Sequence, residues 1–223
     1  MNTTRLMMIL AAMIGLGVSA SGSAAPTAKT GVVRLAMVEY AGGKTGRCFS
    51  ADFLSLLSYE TTIVVDPTLA HVALYDPKLF DYPFVILTGE GEFRLNDAER
   101  ANLRRYLRSG GTMIVSAGCT NALWAGSMRR ELKTIFPEGR LVRLGLDNEV
   151  FHTVFDVADL VTTRGAEGEL YGLEIDGRLA LMYSPQGLND TADAGGTCCC
   201  CGGDEIRQAK YLNANLVAYA LTR

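Results

Sequence analysis

Histidine is almost absent from this chain, with two in 223 residues, His71 and His152, so a side chain suited to general-base work near neutral pH is scarce. An excess of positive charge is lacking too: 21 Lys and Arg stand against 24 Asp and Glu, for a formal net charge of -3. That balance argues against a sequence-independent nucleic-acid binder, which must neutralise phosphates. No apolar run reaches the roughly 20 residues that a membrane-spanning helix requires. No internal repeat, charge block or Pro/Ser/Gly-rich linker divides the chain. With 48% hydrophobic and 20% charged residues, collagen-like, low-complexity and disordered classes are also excluded.

What is present begins with an export signal. Arg5 precedes an apolar run from Leu6 to Val18, and small residues follow, with Ala20, Ala24 and Ala25 as candidate cleavage points. Residues 1–25 are therefore expected to be a secretory signal peptide and 26–223 a single domain, periplasmic or secreted. After cleavage it would carry 20 basic residues against 24 acids, a net charge of -4, with no membrane span, no nucleic-acid partner, and a protein of the cell envelope as the partner to consider. No Cys precedes Cys48, so a lipid-modified cysteine at the cleavage site is not available.

Strands and amphipathic helices alternate along the domain. Val32 to Val38 reads as a strand, Tyr40 to Arg47 as a glycine-rich loop, Asp52 to Tyr59 as a short helix and Thr61 to Val65 as a second strand. Phe84 to Leu87 is a buried strand. The next helix has the clearest start and stop signals: Asn96 as N-cap, Glu99 at the capping-box position, and Gly110-Gly111 beyond its end. Thr112 to Val115, a helix from Leu123 to Ile135 and a strand from Leu141 to Leu144 follow. Leu170 to Tyr183 predicts an antiparallel hairpin, because Asp176-Gly177 suits a two-residue type I′ turn. A long loop, Ser184 to Gly203, leads to a final helix from Asp204 to Leu221, on whose apolar face Asn213 is expected to bond to backbone at a strand end. The pattern predicts an α/β fold, doubly wound around a mainly parallel sheet, with ligands gathering at the carboxyl ends of the strands where their order reverses.

All six cysteines fall where that topology brings loops together. Cys48 follows the first strand, Cys119 follows the strand ending near Val115, and Cys198, Cys199, Cys200 and Cys201 precede the last helix. An exported compartment permits disulfides. Neighbouring Cα atoms are about 3.8 Å apart and ordinary bridges want about 4.4 Å or more, so the run does not pair comfortably within itself. Two readings stand side by side: disulfides linking Cys48, Cys119 and the run, or a soft metal, Zn or Cu, held by thiolates of Cys48, Cys119 and Cys198 to Cys201 with His152 available. A redox C-x-x-C formed by Cys198 and Cys201 is opposed by the negative Asp204 and Glu205. A cysteine hydrolase would use Cys119 after its strand with His152 as base, although Ala117 and Asn121 stand where an elbow wants glycines. Gly43-Lys44-Thr45 falls short of a phosphate loop because Val38 holds the first glycine position. Arg100, Arg104, Arg105 and Arg108 with Arg129, Arg130 and Lys133 read as solvated helix faces.

The stretches FDYPFVILTGEGEF (Phe80 to Phe93), LRRYLRSGG (Leu103 to Gly111), IFPEG (Ile135 to Gly139), EVFHTVF (Glu149 to Phe155), LEIDGRLALMYSPQGL (Leu173 to Leu188) and CCCCGGDEIRQAKYLNANLVAYAL (Cys198 to Leu221) together resemble a bacterial domain-of-unknown-function family, number 4159. The resemblance implies a flavodoxin-like sheet similar to class I glutamine amidotransferase-like domains, in a group without an assigned reaction, and supplies no catalytic residues. The chain departs from many relatives at Ser116-Ala117-Gly118-Cys119, where they carry an acidic pair, and at Asn148-Glu149, where they carry His-Pro. The His-x-Glu partner of the amidotransferase cysteine is also missing, since Thr153 and Val154 follow His152.

Overall fold

Phe84–Gly89 and Thr112–Ala117 are buried at every position, as expected of strands covered on both faces. They form β3 and β4 in the computed structural model, which describes residues 31–192 and 203–223. With Leu35–Glu39 (β1), Ala70–Ala73 (β2), Leu141–Arg143 (β5), Tyr171–Ile175 (β6) and Arg178–Ser184 (β7) they build one seven-stranded sheet in the order β2-β1-β3-β4-β7-β6-β5. Pairing is parallel from β2 through β7 and antiparallel in β7-β6-β5. The hairpin turn has positive φ at both central residues, Asp176 (53°) and Gly177 (78°), the signature of type I′.

Helices cover both faces. Asp97–Arg108 (α2) and Ala122–Ile135 (α3) bury Leu103, Leu107, Met128 and Leu132 against Val38, Val85, Leu87 and Val115. On the other face Asp52–Glu60 (α1) and Ala209–Thr222 (α4) bury Phe53, Leu57, Leu212 and Leu216 against Leu35, Phe84, Ile86 and Ile114. The alternation of these strand residues between the two clusters is the two-residue period of a pleated strand. The result is a flavodoxin-like, three-layer α/β fold. Among the described residues, no helix is long and apolar enough to cross a membrane.

The capping box of α2 does more than start a helix. Asn96 accepts from the Glu99 N–H (2.9 Å), and Glu99 returns one oxygen to the Asn96 N–H (2.8 Å) and gives the other to the Ala41 N–H (2.7 Å) in the loop after β1. Glu99 is 2% exposed, so both bonds are made away from bulk water, where such charge-assisted contacts are strong.

Three expectations need correction. Thr61 to Val65 is not a sheet strand: Thr61 ends α1 by bonding to Leu57 O, and Val65 makes only an isolated bridge to Val33. The second strand lies beyond Pro67, at Ala70–Ala73, so His71 sits in a strand and not in a loop. The last helix begins at Ala209 and not at Asp204, because the backbone of residues 205–207 is used in lateral pairing: Glu205 O accepts from Thr163 N, Arg207 N donates to Val161 O, and Ile206 N donates to Gly187 O. Asn213 bonds to backbone as expected, its Nδ2 donating to Leu188 O at 2.8 Å, just past the end of β7. The segment expected to be a signal peptide and the run Cys198 to Cys201 lie outside the described residues.

Replacing Glu99 by Gln puts an NH2 group where one of its two backbone N–H donors needs an acceptor. Glu99→Gln is expected to lower stability by about 1–3 kcal/mol, read as a shift of the urea midpoint at unchanged m-value.

Candidate functional site

At the carboxyl edge of the sheet the ends of β3 and β4 present polar side chains to the returning chain. Thr88 and Ser116 are fully buried, and both meet Asn189 in the loop after β7. The Asn189 side-chain carbonyl oxygen accepts from Ser116 Oγ and, at 3.3 Å, from Thr88 Oγ1, and its Nδ2 donates to Cys48 O at 2.6 Å. Asn189 O accepts from Ser50 N at 2.9 Å, and Ser116 Oγ accepts from Leu188 N at 2.7 Å. One buried amide thus ties the loop carrying Cys48 to two central strands and to the stretch leading toward the cysteine run. Cys48 itself is 3% exposed.

Cys119 stands at the same edge. It follows β4 in a single 3-10 turn, Gly118–Thr120, with φ 48° and ψ 36°, and Thr120 is also left-handed at φ 53°. Two adjacent non-glycine residues at positive φ mark a sharp strand-to-helix turn, a conformation held only where its surroundings enforce it. Asn121 then caps α3, accepting from Trp124 N at 3.0 Å and from Gly91 N at 3.2 Å. The Cys119 sulfur lies 3.4 Å from Glu90 Oε1. Gly203, the first described residue after the run, packs so tightly on this turn that a Cβ there would lie 2.5 Å from Cys119 Cα.

The point where strand order reverses, between β1 and β3, is filled. Trp124, fully buried, donates through Nε1 to Tyr40 Oη; the Tyr40 hydroxyl also meets Lys44 O and Thr88 O at 3.2 Å. Burial raises the Tyr40 pKa far above that of an ordinary phenol, so it stays protonated. A Cβ at Gly89 would come within 2.1 Å of Tyr40 Oη, so glycine is needed for this closure. The ligand crevice expected at the reversal is therefore occupied by the protein's own side chains.

His152 is not brought to Cys119. It follows the 3-10 turn Glu149–Phe151 and lines a depression with Thr61, Ile63, Thr222 and Arg223. Those residues mark the carboxyl ends of α1 and α4, hence the amino edge of the sheet, opposite Cys119. Both imidazole nitrogens face acceptors, Nδ1 toward Asp156 Oδ1 and Nε2 toward Leu146 O at 2.6 Å. A ring donating from both nitrogens keeps no lone pair for a proton, and these two bonds, the backbone one first, raise its pKa above the usual value.

Other candidates also find places. His71 lies 3.4 Å from Glu39 across β2 and β1. Arg100 pairs with Glu131 and Asp97, Arg104 and Arg108 with Glu138, and Arg130 with Glu92, so the basic residues of α2 and α3 are mostly neutralised locally. Among the described residues, no group of three or more His, Cys, Asp or Glu is gathered as a metal site. Sequence reasoning missed Asn189, whose only local sign is its place in the Pro-Gln-Gly-Leu-Asn stretch after a buried strand, and missed that Glu99 also holds Ala41.

A doubly wound sheet with a tied carboxyl edge and a sharp turn after its central strand defines the class. The chain belongs to the domain-of-unknown-function family DUF4159, which matches residues 34–221. No curated protein matches it.

Asn189→Leu removes every partner of this amide and leaves Thr88, Ser116 and Cys48 O buried without it. A loss of about 2–4 kcal/mol is expected in denaturant unfolding. For His152, folded-state charging contributes stability that is complete below the unfolded value of about 6.5 and is lost as pH rises through the higher folded value. An NMR titration of the His152 ring should therefore give a midpoint above that of a free imidazole, and Asp156→Asn should move it down.

Proposed function

We propose that this chain is an exported, non-catalytic binding domain whose carboxyl-edge loops are locked by the cysteines, with Cys48 bridged to one of Cys198 to Cys201. The observation that carries the reading is the anchoring of both ends of the undescribed stretch at one edge. Before it, Asn189 holds Cys48 O and Thr191 bonds to the Glu205 carboxylate; after it, Gly203 rests on the Cys119 turn. Cys48 is buried, and its sulfur is engaged and not left as a titrating thiol. A bridge there would close a loop of roughly 150 residues, and the restriction it places on the unfolded chain grows with loop length. Export is the companion of this reading, since an oxidising compartment is what lets such bridges persist.

The same thiols could instead take Zn or Cu, since thiolate is the ligand that selects those ions. A cysteine hydrolase or amidotransferase-like enzyme is the second reading, favoured by one observation: the left-handed Cys119 between a strand and a helix, where elbow nucleophiles stand. Against it, the neighbour of the sulfur is the Glu90 carboxylate, and negative charge disfavours the thiolate that a nucleophile needs.

The three readings separate on protein purified from an exported compartment, by alkylating thiols before and after reduction, weighing the intact chain and measuring bound metal. A bridge predicts that reduction adds hydrogens in pairs, that Cys48→Ser exposes a new alkylatable thiol within the run, and that this variant loses about 2–4 kcal/mol of stability. Stoichiometric Zn or Cu with all thiols silent until chelation would replace the bridge by a metal centre. Selective, rapid labelling of Cys119 in the native protein would revive the enzyme.

A further inference from the structure

With the crevice between β1 and β3 closed, a cleft of about 640 Å³ lies open beside it, over the ends of β1 and β2. That is within the usual range for a small-molecule site. Its floor is apolar, formed by Met37, Phe49 and Leu69, and the exposed ring of Tyr75 (62%) stands at its margin. Two opposite charges, Glu39 and Arg47, also line it. Glu39 is the last residue of β1, and its carboxylate lies 3.4 Å from the His71 imidazole, its one ion-pair partner among the described residues. Arg47 ends the glycine-rich loop, lines the cleft, and makes no ion pair among the described residues.

Several ligand classes fit poorly. The loop does not cradle phosphate, because the Gly43 and Lys44 N–H groups both donate to Tyr40 O and Thr45 Oγ1 donates to Val38 O. A divalent cation would find Glu39 and His71 as ligands beside the positive Arg47, while Glu99, which also borders the cleft, has both oxygens engaged by backbone N–H groups. A carboxylate, an unpaired guanidinium and an apolar floor together match a molecule that carries an ammonium, a carboxylate and a hydrocarbon part.

We infer that this cleft binds a small zwitterion with an apolar side chain, an amino acid or dipeptide, its ammonium on Glu39 and its carboxylate on Arg47. The inference rests on the reading of the domain as a binding module and is independent of the fate of its cysteines. The loop that carries Arg47 runs straight into Cys48 and is held at its other end by the bond from Ala41 N to Glu99, so the site is built on fixed supports.

The test is calorimetric titration of the full mature chain with leucine and leucyl-leucine, each compared with its N-acetylated and C-amidated forms. The zwitterions should bind at least about tenfold more tightly than either blocked form, the scale of one charge-assisted contact. In Glu39→Gln the penalty for N-acetylation should vanish while that for amidation persists, and Arg47→Gln should show the converse. Equal binding of free and blocked ligands to the unaltered protein, or no binding of any of them, overturns the inference without recourse to a variant. Thiol counts on the same sample report separately on the cysteine reading, so the two fail independently.

Discussion

A parallel sheet leaves the polar ends of its central strands facing the same way, and here the buried side-chain amide of Asn189 meets that demand. Thr88 and Ser116 close β3 and β4, and without a partner each would be a hydroxyl sealed from water. Asn189 takes both on its oxygen and spends its nitrogen on Cys48 O. The loop after β1, the two innermost strands and the approach to the cysteine run are thereby joined through one residue. Asn213 extends the connection by holding Leu188 O from α4, so the helix packed on one face is tied to the same edge.

This edge has two halves with different physical character. Between β1 and β3, Tyr40, Trp124 and Gly89 close the space in which doubly wound proteins commonly hold a ligand. On the β2 side, α1 leaves the outer strand partly uncovered, and the glycine-rich loop stands over it, tethered by Glu99. The fold therefore says where a site would sit in relatives of this architecture, while the side chains decide where space remains. Membership in a family without an assigned reaction leaves chemistry to be argued from those side chains.

How much could be read from the sequence follows the range of the interactions. The α2 capping box, the type I′ turn at Asp176-Gly177 and the double burial of β3 and β4 are local or periodic signals, and the structure has all of them. Thr61, Ile63, Val64 and Val65 carry stronger strand propensity than Ala70–Ala73, yet the second strand forms at Ala70–Ala73 because Thr61 is consumed in ending α1. The start of α4 at Ala209 has no local sign, because the pairing of residues 205–207 with 161–163 is made over about 40 residues of chain. The gathering of Cys48 and Cys119 at one edge was readable from topology. The contact of Asn189 with Thr88 spans 101 residues, and no local pattern announces it.

The two outermost strands are also the shortest of the sheet. β2 has four residues and β5 three, with Pro67 and Pro77 near β2 and the Arg143–Glu167 ion pair on β5. The unpaired backbone that a sheet edge offers to another chain is thus brief and flanked by residues that resist strand addition. The six-residue, fully buried β3 and β4, which would be the most adhesive segments if uncovered, are kept in the interior of the order. A second copy meeting this sheet at either side would therefore find only three or four residues of backbone to pair with.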